Sequence, residues 1–337
     1  MSAHLRILTT LVMVCLSADS VSFFAAASRP PEAQSETKPP TVMSAALDAE
    51  GRLLAVARSD GKLQLWDVNT GHPSRDFTGK TRLIQRMAFT PDGKQLVLGT
   101  MMDGISLWDV TTGNQIAVLG PSQGVISALA VSEDGHTIAA GSSNGNLETR
   151  DIATGHQVQK FAGHSENIAS IAFSPNGRWL ATGSWDKSVC VWEAGSGKKL
   201  LSLTGHIGWV NSVAFSPDNQ RLASGGFEGI TNLWQIPNGR NLFALPISVT
   251  GLPLSVTAVA FSPDGNILVA IGMGGQGGIW DAKTGRQTRA LTNLPATADM
   301  VRISGNGHQL IVAGADGRVA IYNLSTGEQT AKFSVTP

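Results

Sequence analysis

The sequence predicts an all-β chain in which seven copies of one four-stranded antiparallel unit pack side by side into a closed ring. Three observations carry that expectation. A two-residue signature recurs as Trp66-Asp67, Trp108-Asp109, Arg150-Asp151, Trp192-Glu193, Trp234-Gln235, Trp280-Asp281 and Tyr322-Asn323. Successive signatures are 42 residues apart, except for 46 between the fifth and sixth. Each copy also places a glycine between its third and fourth apolar runs, from Gly71 in the first to Gly327 in the last. A tight hairpin there needs a backbone conformation that residues with a β-carbon enter only at a cost.

The fourth copy, residues 163–205, shows the unit most clearly. Residues 168–173 alternate and are rich in Ile and Phe, 179–182 form a short apolar run, 189–192 alternate again and 200–203 form a fourth run. These are four short strands. Ser174-Pro175-Asn176-Gly177 separates the first two, with Pro set for the early turn position and Asn-Gly able to adopt positive φ. A repeat of about 40 to 45 residues with a Trp-Asp ending and scattered Gly-His pairs resembles the WD40 family, in which each repeat is one blade of a propeller. The resemblance runs over residues 41–335 and implies a seven-bladed WD40-like β-propeller occupying residues 41–337.

The length of 337 residues alone suggests more than one domain. The repeat overrides that prior, because a single blade cannot bury a core and must stack on its neighbours. Lys plus Arg and Asp plus Glu both number 25, giving a formal net charge of zero. A neutral chain carries no general field to attract nucleic acid or an anionic bilayer. Of the two cysteines, Cys15 and Cys190, only the second lies in the repeats, where it alternates with Val189 and Val191 as a small core residue.

Residues 1–27 have the three parts of a secretory signal: Arg6, an apolar run from Ile7 to Leu16, and Ala25-Ala26-Ala27 as a small-residue cleavage site. The run is too short to span a bilayer, so export with cleavage after Ala27, to the periplasm or outside, is expected, with no membrane span left in the mature chain. Retention as an N-terminal membrane anchor is the alternative. Residues 28–40 are proline-rich and polar and read as an extended linker. No linker strand is visible to complete the last blade, so the ring should close by packing blade seven on blade one.

The family resemblance implies a hydrogen-bonded tetrad of His, Ser or Thr, Asp and Trp within a blade. In copy four the matching residues are His164, Thr182 or Ser184, Asp186 and Trp192. Copy five offers His206, Ser224, Glu228 and Trp234, with Glu at the Asp place. Copies one and seven keep Asp60 and Asp316 without a Gly-His pair, and copy three replaces Trp with Arg150. The tetrad is therefore expected in only a minority of blades.

No catalytic or metal motif appears, the histidines do not converge, and no cofactor is implied. The glycine-rich run at 272–278 precedes a strand rather than a helix, so it reads as a hairpin turn and not a phosphate cradle. What stands out is apolar bulk where the resemblance places the top entrance of the channel. Trp185 and Phe227 precede the tetrad acid in copies four and five, and Trp209 and Asn211 begin the innermost strand of copy five. Met101 and Met273 hold places like those of Trp185 and Phe227 in copies two and six. Exposed aromatics at such positions suggest a docking surface for a protein or peptide on the top face; the competing reading is packing against neighbouring loops. The function expected is a non-catalytic interaction scaffold. The alternative is an exported enzyme with its site at the channel mouth, where only Asp299 and Arg302 offer charge.

Overall fold

A computed structural model describes residues 40–78, 83–101, 103–122, 124–249 and 252–335, with the backbone alone at 248, 249, 252 and 253. The expected signal, its cleavage point and the linker lie outside the described residues, apart from Pro40. Among the described residues lie seven four-stranded antiparallel sheets, each built from consecutive strands, and one two-stranded ladder. This is a seven-bladed β-propeller. Blade one runs Val42–Leu47, Leu53–Arg58, Leu63–Asp67 and His72–Asp76, and blade seven runs Ala298–Ile303, Gln309–Gly314, Arg318–Asn323 and Gln329–Ser334. The first strand of every blade faces its counterparts in the neighbouring blades and lines a central channel.

The second strand of each blade is almost fully buried, as in Gln95–Thr100 and Trp179–Ser184, because both of its faces meet a neighbouring blade. Alternate side chains therefore serve two different cores. One set from Ala181, Val189, Leu203, Val210 and Leu222 joins blades four and five. Such interface cores recur between all neighbouring blades, which is why no blade is stable alone.

The seam is one of these cores. Val319, Ile321 and Val335 of the last repeat pack with Leu54, Val56 and Trp66 of the first. The Trp66 and Phe333 rings stack at 6.1 Å. Blade seven draws all four strands from its own repeat.

At the bottom of six blades one hydroxyl organises the turn between first and second strands. Ser174 donates to the Asn176 side chain and accepts the Trp179 backbone N–H, and Thr90, Ser132, Ser216, Ser262 and Ser304 do the same in their blades. In blade one Asp48 takes this place, accepting from the N–H groups of Arg52 and Leu53. The glycine of each hairpin between third and fourth strands has φ between +68° and +73°. The longer spacing between the fifth and sixth signatures is taken up by an extended outer strand, Arg240–Pro246, and a small ladder, Ser248–Val249 with Leu252–Pro253. Extra residues at a blade junction can pair with one another, and a run broken by two prolines hides that signal.

Candidate partner-binding site at the channel mouth

Blades four and five are the best organised, and the reason is hydrogen bonding behind the mouth. Trp192 donates its indole N–H to the Thr182 hydroxyl at 2.9 Å, and that hydroxyl lies 2.7 Å from Nε2 of His164. Nδ1 of the same ring is 2.8 Å from the Asp186 carboxylate. The arrangement assigns the proton to Nδ1, so the hydroxyl donates to Nε2 while accepting from the indole. Blade five joins Trp234, Ser224, His206 and Glu228 in the same way.

Two members of these networks differ from the sequence reading. Ser184 lies outside the relay: its hydroxyl donates to Glu166 O and accepts the Asp186 N–H. Ser188 joins instead, donating to Asp186 at 2.6 Å. In blade five Asn232 leans on the His206 ring and accepts from Asn241. Ser188 reaches the relay from the turn just before the third strand and Asn232 from within the third strand, places the repeat pattern does not single out.

The remaining blades solve the same packing problem differently. Leu294, Val312 and Tyr322 form an apolar version in blade seven, and Ile247, Ala270 and Trp280 one in blade six. In blade two Trp108 donates to Ser106 at 2.9 Å. In blade three Arg150 pairs with buried Glu148 at 2.8 Å and donates to the carbonyls of Leu119, Gly155 and Pro121. Trp66 of blade one has no partner for its indole N–H among the described residues.

The acid turn of each relay carries the aromatic that precedes it to the channel mouth. Trp185 N–H bonds to Asn167 O, and Phe227 N–H bonds to Trp209 O, so the turn is tied to the start of the innermost strand. Trp209 is thereby held between two rings. It stacks on Trp185 at 4.6 Å with 16° between planes, and Phe227 lies 5.3 Å away on a tilt. The three pack on one another, yet Trp209 is 38% and Phe227 51% exposed. Trp185 is half-buried, and exposed Met273 lines the same cavity.

The ledge forms one wall of a cavity of about 490 Å³ in the upper channel, with Asp299, Arg86 and Met43 on the other side. Asn211 lines it too, but its amide donates to Ser255 Oγ at 3.2 Å and Val256 O at 2.9 Å. That group ties blade five to blade six, as Ser127 ties three to four and Thr257 ties six to seven. Asp299 keeps exposed surface in the channel, and enclosure there pushes its carboxyl up to about 6, against the pull of Arg86. Met101 sits exposed at the matching turn of blade two. Among the described residues no group of three or more His, Cys, Asp or Glu side chains is placed to hold a metal ion. No described helix is long and apolar enough to cross a membrane.

Seven four-stranded blades around a channel, with a Trp-centred relay in two of them, define a repeat propeller. The family model for the WD domain, G-beta repeat, matches residues 34–67, 113–148, 155–193, 197–235 and 248–281, more than half of the chain. The chain belongs to the WD40-repeat family. Among solved structures it is similar to that of the computationally designed Ika8 protein, at 25% identity and a TM-score of 0.71, with 88% of each chain covered. A comparison with curated proteins finds no match.

Proposed function

We propose that the chain is a non-catalytic docking platform, exported from the cytoplasm, on whose top face a protein or peptide lands across blades four and five. The observation that carries this is Trp209, clasped between Trp185 and Phe227 and still more than a third exposed at the rim of a cavity. Rigid aromatics that keep open surface are the residues that act as interface anchors. Two relays hold the backbone beneath them, so little ordering remains for binding to impose. WD40 propellers typically serve as interaction scaffolds, and the neutral net charge supplies no field for nucleic acid.

The test is site-specific photocrosslinking in the exported fraction. A crosslinking residue at Phe227 should capture a discrete partner, and one at Val158, exposed on an outer strand, should not. Equal capture at both positions, or at neither, would contradict the reading. Export is tested separately by mass spectrometry of the mature chain, which should begin at Ser28; a retained Met1 would contradict it.

Asp299 favours a second reading, an enzyme working at the mouth. A carboxyl titrating at about 6 beside Arg86 is suited to proton transfer near neutral pH. A turnover lost in Asp299→Asn with partner capture unchanged would favour this alternative.

A further inference from the structure

The two ends of the channel differ in chemistry. At one level the innermost strands place alanine in six blades: Ala46, Ala88, Ala130, Ala172, Ala214 and Ala260, each at the same register against its second strand. Blade seven puts Arg302 there, opposite Ile311. Its guanidinium stands in a second cavity of about 350 Å³ toward the bottom mouth, walled by Met87, Leu129, Phe173 and Met300. Arg302 is reached by the channel water, and it makes no hydrogen bond or ion pair with any described residue. Enclosure disfavours its charge, and Glu133, Asp48 and Glu50 favour it from a distance. Glu133 lines the same cavity, and Asp48 is engaged with the backbone of Arg52 and Leu53.

We propose that the lower channel is a binding site for a single carboxylate on a compact aliphatic body, with Arg302 as the anchor. The planar guanidinium matches a carboxylate with two parallel hydrogen bonds, and in a walled cavity such a pair is stronger than in water. The cavity exposes more polar than apolar surface, and within it the Met87, Leu129, Phe173 and Met300 side chains offer contacts to an aliphatic body. Glu133, Asp48 and Glu50 oppose any anion, and oppose one of higher charge more strongly, which sets a monocarboxylate apart from phosphate. A cavity of about 350 Å³ is at the small end of ligand sites and suits a short chain. The ligand is either a free short-chain carboxylic acid or the C-terminal residue of a partner chain. This site is at the opposite end from the aromatic ledge and does not depend on it.

The test uses the intact mature chain and four probes: 4-methylpentanoate, a tripeptide ending in free leucine, its C-terminal amide, and inorganic phosphate, followed by saturation-transfer NMR. Arg302→Ala gives blade seven the residue that the other six carry, so this variant should fold with an unchanged or higher melting temperature. At least one of the two carboxylates should bind saturably, and at least about tenfold more weakly to Arg302→Ala. Binding should persist in the Trp185→Ala/Trp209→Ala variant. Tighter binding by the free acid identifies a small metabolite, and tighter binding by the peptide identifies a chain terminus. No saturable binding by either carboxylate, equal binding to Arg302→Ala, or equal binding of the amide or of phosphate would overturn the proposal.

Discussion

The Thr182 hydroxyl accepts the indole N–H of Trp192 at 2.9 Å and so fixes the ring on which blade four is built. Because the same oxygen lies 2.7 Å from His164 Nε2, and Nδ1 meets Asp186, the third strand, second strand and incoming loop share one directional chain of bonds. That chain holds the turn on which Trp185 rides. Stability of the relay and presentation of the docking surface are thus properties of the same few residues.

Removing the relay acid should therefore be costly where a histidine depends on it. Asp186→Ala should destabilise the protein by about 1 to 3 kcal/mol, the usual cost of a buried partner left unsatisfied. Asp316→Ala should cost less, since blade seven has Leu294 in place of histidine and its core there is apolar. Melting curves compare the two; equal losses would contradict the relay's role.

Arg150 is the strongest case of a different solution. Its removal leaves Glu148 buried without a countercharge and three carbonyls without a donor. Arg150→Ala should cost about 3 to 5 kcal/mol. The double change Glu148→Ser with Arg150→Trp copies the Ser106–Trp108 pair of blade two and should recover most of that loss. Chemical denaturation of the two variants checks this, and a double variant no better than Arg150→Ala would contradict it.

Acid should weaken blade four. Enclosure lowers the His164 pKa below its ordinary 6.5, although Asp186 pulls it upward. The unfolded chain then takes up that proton more readily, so the contribution is full above about 6.5 and is lost as the pH falls below it. Burial works against the Asp186 charge, yet Ser188 and His164 hold its carboxyl below 3.8; its contribution is present above 3.8 and is lost as pH falls through the folded value. Asp299 runs the other way. With its carboxyl raised by enclosure to about 6, its contribution is present below 3.8 and is lost as pH rises through about 6. Asp299→Asn should therefore raise the melting temperature slightly at about pH 8 and not at about pH 4, while His164→Gln should flatten the loss of stability between about pH 7 and pH 5. The opposite pH dependence in either variant would contradict these assignments.

The seven-bladed ring was legible because one period of 42 residues fixes strand number, strand order and turn positions together. The relays of blades four and five could be placed residue by residue for the same reason. Ser188 and Asn232 were not, because a polar residue in a turn or on a third strand looks like any outward-facing side chain until the fold shows it against a histidine. Nor did the sequence reveal that Arg150 replaces an indole by reaching three carbonyls, two of them on the strand and loop that end blade two. Asn211 could be placed at the channel from sequence, but its engagement with Ser255 and Val256 depends on how closely two blades approach. Arg302 was visible as a charge, while its isolation required knowing that the six matching positions are alanines around one cavity.

The docking claim is tested most directly by the affinity of the captured partner for a Trp185→Ala/Trp209→Ala variant. Each lost anchor removes about 2 kcal/mol or more of binding, roughly thirtyfold in affinity. The measurement is a titration of the purified partner into wild-type and variant chains, with circular dichroism and a melting curve on both. The account predicts a variant with the wild-type β spectrum and at least thirtyfold weaker binding, about the effect of one anchor. A folded variant that binds its partner with unchanged affinity would contradict it.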